Sequence, residues 1–433
     1  MKKQFLAFAT AVTFAVTLPV FAASTPKGGI IYTFKGGSDG ENPVAPLVAD
    51  AHGNLYGTTQ EGGGSTFCNG GGCGTVFELI APSSPAGKWG ETILHSFTGG
   101  NDGSYPFGGL IFDSAGNLYG TTYEGGDMGN TLCTAGKNVG CGTIFELSPP
   151  KGPGGAWSET VLHLFEEGGA DGAFPLSSLV FDNRGNLYGT TLGGNTFTNG
   201  GIVFELSPGS GGLWTESVLY SFMGLEDGYV PEGPLVFDGS GNLYGTTNTG
   251  SGDYAGGAVF QLVPPIAGGS WAFNSLYDFE GPEGGRPVGG LLIDHSGNFF
   301  GTTMFGGTQR HGVAFELIPP QSGGSWTDVD LYNFVGGSDA YPFGFVEDAA
   351  GNLYGTAEGT YDNTCGEIFK LSNSAGSWNR TVLHGFTSKH FGQGCYPQAP
   401  LVYGKWKALY GTTSRGGDKS CGVGCGTVFG FLP

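Results

Sequence analysis

Seven prolines recur along the chain, at positions 43, 106, 175, 231, 287, 342 and 397, and the residues just ahead of them carry groups suited to chemistry. Four positions before the proline stand Asp39, Asp102, Asp171, Asp227 and Glu283; Asp339 is offset by one, and Gln393 takes the seventh place. Directly before the proline come Tyr105, Phe174, Tyr341 and Tyr396, with Arg286 in one copy. Carboxylates accept hydroxyl hydrogens while aromatic faces pack on the apolar face of a sugar ring. The combination suits a neutral polar ligand such as a carbohydrate. Two carboxylates about 6.5–9.5 Å apart would also serve inverting glycoside hydrolysis. The plainer reading is an Asp-Gly turn followed by a packed aromatic.

A second group breaks the pattern instead of following it. Arg310-His311 replaces apolar or small residues in one copy, Lys389-His390 precedes the last proline, and Arg415 stands in the last copy. Cations are scarce here, with 17 Lys and Arg against 37 Asp and Glu. Gathered on one face they would bind a carboxylate or sulfate, and a His beside an acid would act as a general base. As solvated loop residues they would offset nearby acids. The sequence has no G-x-S-x-G, H-E-x-x-H or phosphate-loop motif and no D-x-[DN]-x-[DN]-G calcium loop. No cofactor and no metal are called for.

A repeat must position these groups. Gly-Asn-Leu-Tyr-Gly-Thr-Thr begins at Gly53, Gly116, Gly185 and Gly241, and altered forms begin at Gly297, Gly351 and Ala408. A Gly-x-x-Phe strand starts at Gly74, Gly142, Gly201, Gly257, Gly312, Gly366 and Gly426. An aromatic-ended strand finishes at Phe34, Phe97, Phe165, Phe222, Phe279, Phe334 and Phe386. One unit therefore holds four strands, A to D, typified by residues 110–113, 117–122, 142–147 and 160–165, with an Asp-x-x-Gly-Asn turn from A to B. The first unit opens with a lone D strand at 30–34, and the last stops on a C strand at 426–431. An N-terminal D strand completing the last sheet would close a ring and pair a naked edge. The expected fold is all-β: a seven-bladed β-propeller of four-stranded antiparallel blades, one domain spanning residues 23–433.

Residues present in every copy hold the blade together. The A–B acids Asp50, Asp113, Asp182, Asp238, Asp294 and Asp348 read as Asx turns. Glu78, Glu146, Glu205 and Glu316, with Gln261, are expected to hydrogen-bond between blades. His95, His163 and His384 share a D-strand slot with Tyr32, Tyr220, Tyr277 and Tyr332, so the slot wants a polar aromatic rather than an imidazole.

At GNLYGTT…GTVFEL the sequence resembles the GloVer-type tandem repeats of bacterial exported proteins. The resemblance runs over about residues 28–433. It implies an exported protein whose repeat carries no established activity, and it supplies no catalytic residue. Members often add a C-terminal anchor; this chain stops at Phe431-Leu432-Pro433, which favours release or a periplasmic location.

Residues 1–22 have a secretory layout: Lys2 and Lys3, an apolar stretch, then Val20-Phe21-Ala22 as a cleavage site. Eight cysteines in an exported chain favour disulfides. Cys73, Cys141 and Cys425 have local partners in Cys68, Cys133 and Cys421, which leaves Cys365 with Cys395. The net charge of −20 repels phosphate backbones and anionic lipid, so nucleic acid and membrane surface are set aside. Two readings remain. One is a monomeric binding scaffold for a glycan or a cell-surface protein. The other is a carbohydrate-active lyase or hydrolase at the mouth of the central channel.

Overall fold

In the computed structural model the Leu-Tyr-Gly-Thr-Thr string forms the second strand of its sheet and is buried along its whole length, as a strand covered on both faces must be. The structure describes residues 28–433 apart from 69, 86, 128–132, 134–139, 153, 167–170, 194–199, 225–226, 250–255, 267, 280–283, 322, 361–363 and 388–391. The leader at 1–22, Glu283, Lys389 and His390 lie outside the described residues. The glycine within the string has a steric cause. A Cβ on Gly120 would stand 2.6 Å from Cζ of Phe145, the C-strand phenylalanine that lies across it.

In the first blade Val48–Ala49 (A), Leu55–Thr59 (B), Thr75–Ile80 (C) and Gly90–Ser96 (D) pair antiparallel in chain order. Five further blades repeat that order, and the third adds a short strand, Ala173–Pro175, beside its B strand Leu187–Gly193. In the seventh, Val402–Tyr403, Leu409–Thr413 and Thr427–Phe431 take their fourth strand from Gly28–Thr33, with Gly28 opposite Phe431 and Thr33 opposite Thr427. The propeller is therefore closed as expected. The A strands are shorter than expected, two residues in six blades and Pro342–Glu347 in the sixth. Each is fed by the recurrent proline, which has no N–H to give a ladder.

Packing closes the same ring. Among the described residues, every buried cluster joins two neighbouring blades; the one holding Phe34, Leu47, Phe77, Tyr410 and Val428 joins the seventh to the first. The phenylalanine ending each D strand meets the C-strand phenylalanine of the next blade, as Phe97 meets Phe145 at 5.2 Å and Phe34 meets Phe77 at 5.1 Å. Such a pair is worth about 0.5–1.5 kcal/mol beyond its buried area. On the opposite side of the blade, C–D tryptophans pack on B-strand tyrosines one blade back, Trp157 on Tyr56 at 6.4 Å.

The A–B acids are Asx turns: Asp113 accepts from Ala115 N at 2.8 Å and Asn117 N at 2.9 Å. The C-strand acids differ from expectation. Glu78 bonds Asn54 and Tyr56 of its own blade, at 3.0 and 2.8 Å, and Gln261 likewise bonds Tyr244 at 2.8 Å. Tyr56 is the cross-strand partner of Glu78, so the bond inside the sheet is reached first.

All four expected disulfides form: Cys68–Cys73, Cys133–Cys141, Cys365–Cys395 and Cys421–Cys425. Cys365–Cys395 links the sixth blade to the loop entering the seventh. Among the described residues no helix is long and apolar enough to cross a membrane.

Candidate functional site

The residue before each recurrent proline is held in left-handed backbone: Asn42, Tyr105, Phe174, Val230, Arg286, Tyr341 and Tyr396 all have φ between 53° and 62°. For a β-branched residue such as Val230 that is an outlier, and it persists because both backbone groups are bound to different blades. Tyr105 N donates to Cys73 O at 2.9 Å in the blade behind, and Tyr105 O accepts from Tyr123 N at 3.0 Å in the blade ahead. The proline then lies against the glycine that starts the preceding C strand; a Cβ on Gly74 would be 2.5 Å from Pro106 Cδ.

This strained step turns the next residue toward the axis. Val44, Phe107, Leu176, Glu232, Val288, Phe343 and Gln398, one from each blade, line an axial cavity of about 330 Å³. Five are apolar and two polar. Arg286 joins them with Nη2 3.5 Å from Glu232 Oε2, while its Nε is buried without a partner. Gln398 donates to Glu358, a buried carboxylate, at 2.6 Å. Across the ring, Phe107 meets Tyr123 at 5.3 Å and Tyr123 meets Phe174 at 5.1 Å, a half-buried aromatic path toward the rim. Glu232 is the carboxylate among the described lining residues, and it is engaged by Arg286.

The loop acids do not converge on that cavity. Each of the described ones folds back to cap its own D strand. Asp102 accepts from Thr98 N at 2.8 Å and lies 3.6 Å from His95 Nε2. Burial opposes its ionisation, but bonds from His95 and Thr98 outweigh it and hold the carboxyl below its usual range. Asp171 stands 3.3 Å from His163 and Asp227 accepts from Tyr220 at 2.9 Å. Asp39 and Asp339 accept from Tyr32 and Tyr332 in the same way. The D strand is the outermost, so these acids sit at the periphery.

The cations are dispersed too. Arg310 is exposed with φ 63°, and His311 packs on Tyr341 at 6.0 Å with its Nδ1 buried and unpartnered. Arg415 lies two blades on, its backbone paired with Cys395 and its charge near Glu41 and Tyr396. Of the residues singled out in sequence, Arg286 enters the axial cavity, Phe174 reaches its lining only through Tyr123, and Tyr105 packs in the cluster between the first two blades. Reasoning from sequence missed Glu232, Gln398, Phe107 and Phe343. Aligning the residue after each proline would have found them, since only there do Glu and Gln interrupt an apolar ring. Among the described residues no group of His, Cys, Asp or Glu is placed to hold a metal.

No curated protein matches the chain. Among solved structures it is similar to PorZ, an essential surface component of the type-IX secretion system of Porphyromonas gingivalis, with 15% identity and a TM-score of 0.47 over 89% of this chain; it spans 46% of PorZ. A protein from Lactobacillus plantarum is similar at 13% identity and TM-score 0.49, with 83% and 95% of the two chains covered. A calcium-bound structure of Carbohydrate-Active Enzymes Family AA12 from Trichoderma reesei gives 12% identity and TM-score 0.42, covering 90% and 97%. Likeness this distant assigns no function, and the propeller rests on the chain's own strand order. Residues 131–344 match the Gloeobacter/Verrucomicrobia repeat, and the same motifs run in the same order on both sides of that stretch. The chain is a member of the Gloeobacter/Verrucomicrobia repeat family.

Proposed function

We propose that the chain is an exported binding propeller whose axial cavity takes a small neutral carbohydrate. Four disulfides accord with an oxidising compartment and with the leader read at residues 1–22. The observation that carries the ligand class is Arg286: a guanidinium with a buried, unpartnered Nε, set beside Glu232 in a cavity whose mostly apolar walls include Phe107 and Phe343, with Gln398, Ser177 and Ser178 as further polar groups. Pockets that combine apolar walls with a few convergent polar groups are where small molecules bind. Arg286 would donate to ring hydroxyls, Glu232 would accept from them, and Phe107 would cover an apolar sugar face.

A glycan array followed by calorimetry tests this. Arg286→Ala and Phe107→Ala are each expected to weaken the best neutral hit by about tenfold, or 1.4 kcal/mol. Unchanged affinity in both variants would sink the axial assignment. Chromatography of the same mixtures reads turnover: a product released from the hit would replace the binding protein with the enzyme.

A further inference from the structure

On the face away from the proline loops, blade 7 departs from the rest of the ring. In the first blade the A–B turn packs Asp50, Asn54, Tyr56 and Glu78 into one hydrogen-bonded group. In blade 7 the matching places hold Gly404, Ala408, Tyr410 and Gly430. Three of the four polar side chains are gone. Lacking a carboxylate, the Tyr410 hydroxyl donates to the Lys405 carbonyl at 3.3 Å.

The vacated space is a groove of about 690 Å³ at the seam where blade 7 meets blade 1. Its walls are Trp89, Trp406 and Tyr410: Trp89 stands edge-on to Trp406 at 6.5 Å and to Tyr410 at 5.5 Å. Trp406 is the one tryptophan that is not on a C–D connection. It is presented by a turn in which Trp406 and Lys407 both take positive φ, 62° and 58°, and Lys407 replaces the glycine found there in the other blades, such as Gly53 at 85°.

The charge of the groove is reversed as well. The chain carries −20, yet the described lining holds no acid and includes Lys88. Lys405, just outside the lining, donates to the Pro82 carbonyl at 3.3 Å and keeps its ammonium 5.3 Å from the Trp406 ring centre. Indole and phenol faces suit the apolar side of a pyranose, and lysines supply point charges for an anion. We infer that the seam groove binds an acidic saccharide, a sugar chain bearing uronate carboxylates. This second site shares no residue with the axial cavity and does not rest on the ligand assigned there.

The probe is trigalacturonate, with neutral cellotriose as its control, read by tryptophan fluorescence and calorimetry on the full mature chain. Trigalacturonate is expected to bind, to shift the emission, and to weaken as salt rises, while cellotriose leaves the Trp406 signal unchanged. Trp406→Ala is expected to lower affinity at least about tenfold, and the exposed Lys88→Glu by about threefold, with melting temperatures that show both variants folded. Arg286→Ala keeps full affinity for the acidic probe. Absence of binding at millimolar probe, or affinity untouched by both seam variants, overturns the inference. Loss in Arg286→Ala instead would move the acidic sugar to the axial cavity, overturning the seam site and leaving the axial reading intact.

Discussion

Two outer clefts of this ring share one backbone and carry opposite electrostatics. Between blades 2 and 3, His163 and Asp171 face Glu216, which comes from the next D strand; its Oε1 is buried without a partner. Burial, then the Asp171 charge, pushes the Glu216 carboxyl up to about 8. Between blades 5 and 6 the place of Glu216 belongs to Arg380, which lies 3.7 Å from Asp339, pairs with Glu367 and covers the Tyr332 ring. A third cleft, between blades 3 and 4, is neutral there: Phe273 stacks on Tyr220 at 4.4 Å. One D-strand position thus decides whether a cleft is strained by like charge, bound by a salt bridge or sealed by a ring. The backbone tolerates all three because the phenylalanine pairs beneath are the same.

Breaking the bound cleft should have the largest effect. Arg380→Ala leaves Asp339 and Glu367, both buried, without their cation, and is expected to cost about 3–5 kcal/mol in urea unfolding. Stability unchanged within error would show that the pair is solvated and the comparison empty.

Relieving the strained cleft comes next, and its sign depends on pH. Glu216 has its folded pKa raised from 4.5 to about 8, so the folded state holds the proton more tightly. The stability this contributes is complete below about 4.5 and is lost steadily as pH climbs toward 8. Allowing for screening in a partly open cleft, Glu216→Gln should add about 1–2 kcal/mol at pH 8 and little at pH 4.5. Glu91, pushed up to about 7, and Glu159, also raised, add to the same trend through burial and neighbouring acids. Calorimetric melts across pH 4–8 read it directly; a gain that persists at low pH would mean that packing, not charge, is responsible.

The smallest effect belongs to the neutral cleft. Phe273→Leu removes the stacked ring while keeping an apolar filler, for a loss of about 0.5–1.5 kcal/mol. The loss should be equal at pH 5 and pH 8, and a marked pH dependence would show that this cleft is not neutral.

Much of the architecture was legible because it is periodic and local. Seven copies of Gly-x-x-Phe, a D strand without a partner at one end and a C strand at the other made the closed ring readable. The bridge from Cys365 to Cys395 followed by pairing the other six cysteines locally. The A–B acids were legible as Asx turns, since that bond spans only four residues. Direction was not legible. Whether Asp102 points to the axis or to His95 depends on how the loop turns after the D strand. Which residue reaches the cavity depends on the positive φ at Tyr105 and its six counterparts, and tyrosine gives no hint of left-handed backbone. The C-strand acids mislead for a related reason, because Glu78 finds Tyr56 across the strand before it can reach the neighbouring blade.

The pairing of Gly28–Thr33 with Thr427–Phe431 also sets the order in which the molecule can be finished. Gly28–Thr33 must wait for Thr427–Phe431, with six blades in the intervening loop, and such closure is slow although its entropy rises only gently with length. Until then blade 7 keeps an unpaired edge and Phe34 has no cover from Val428. Joining these two strands is thus a check on the ring: a product cut short before Thr427 could fold six blades and still leave the seventh with an open edge.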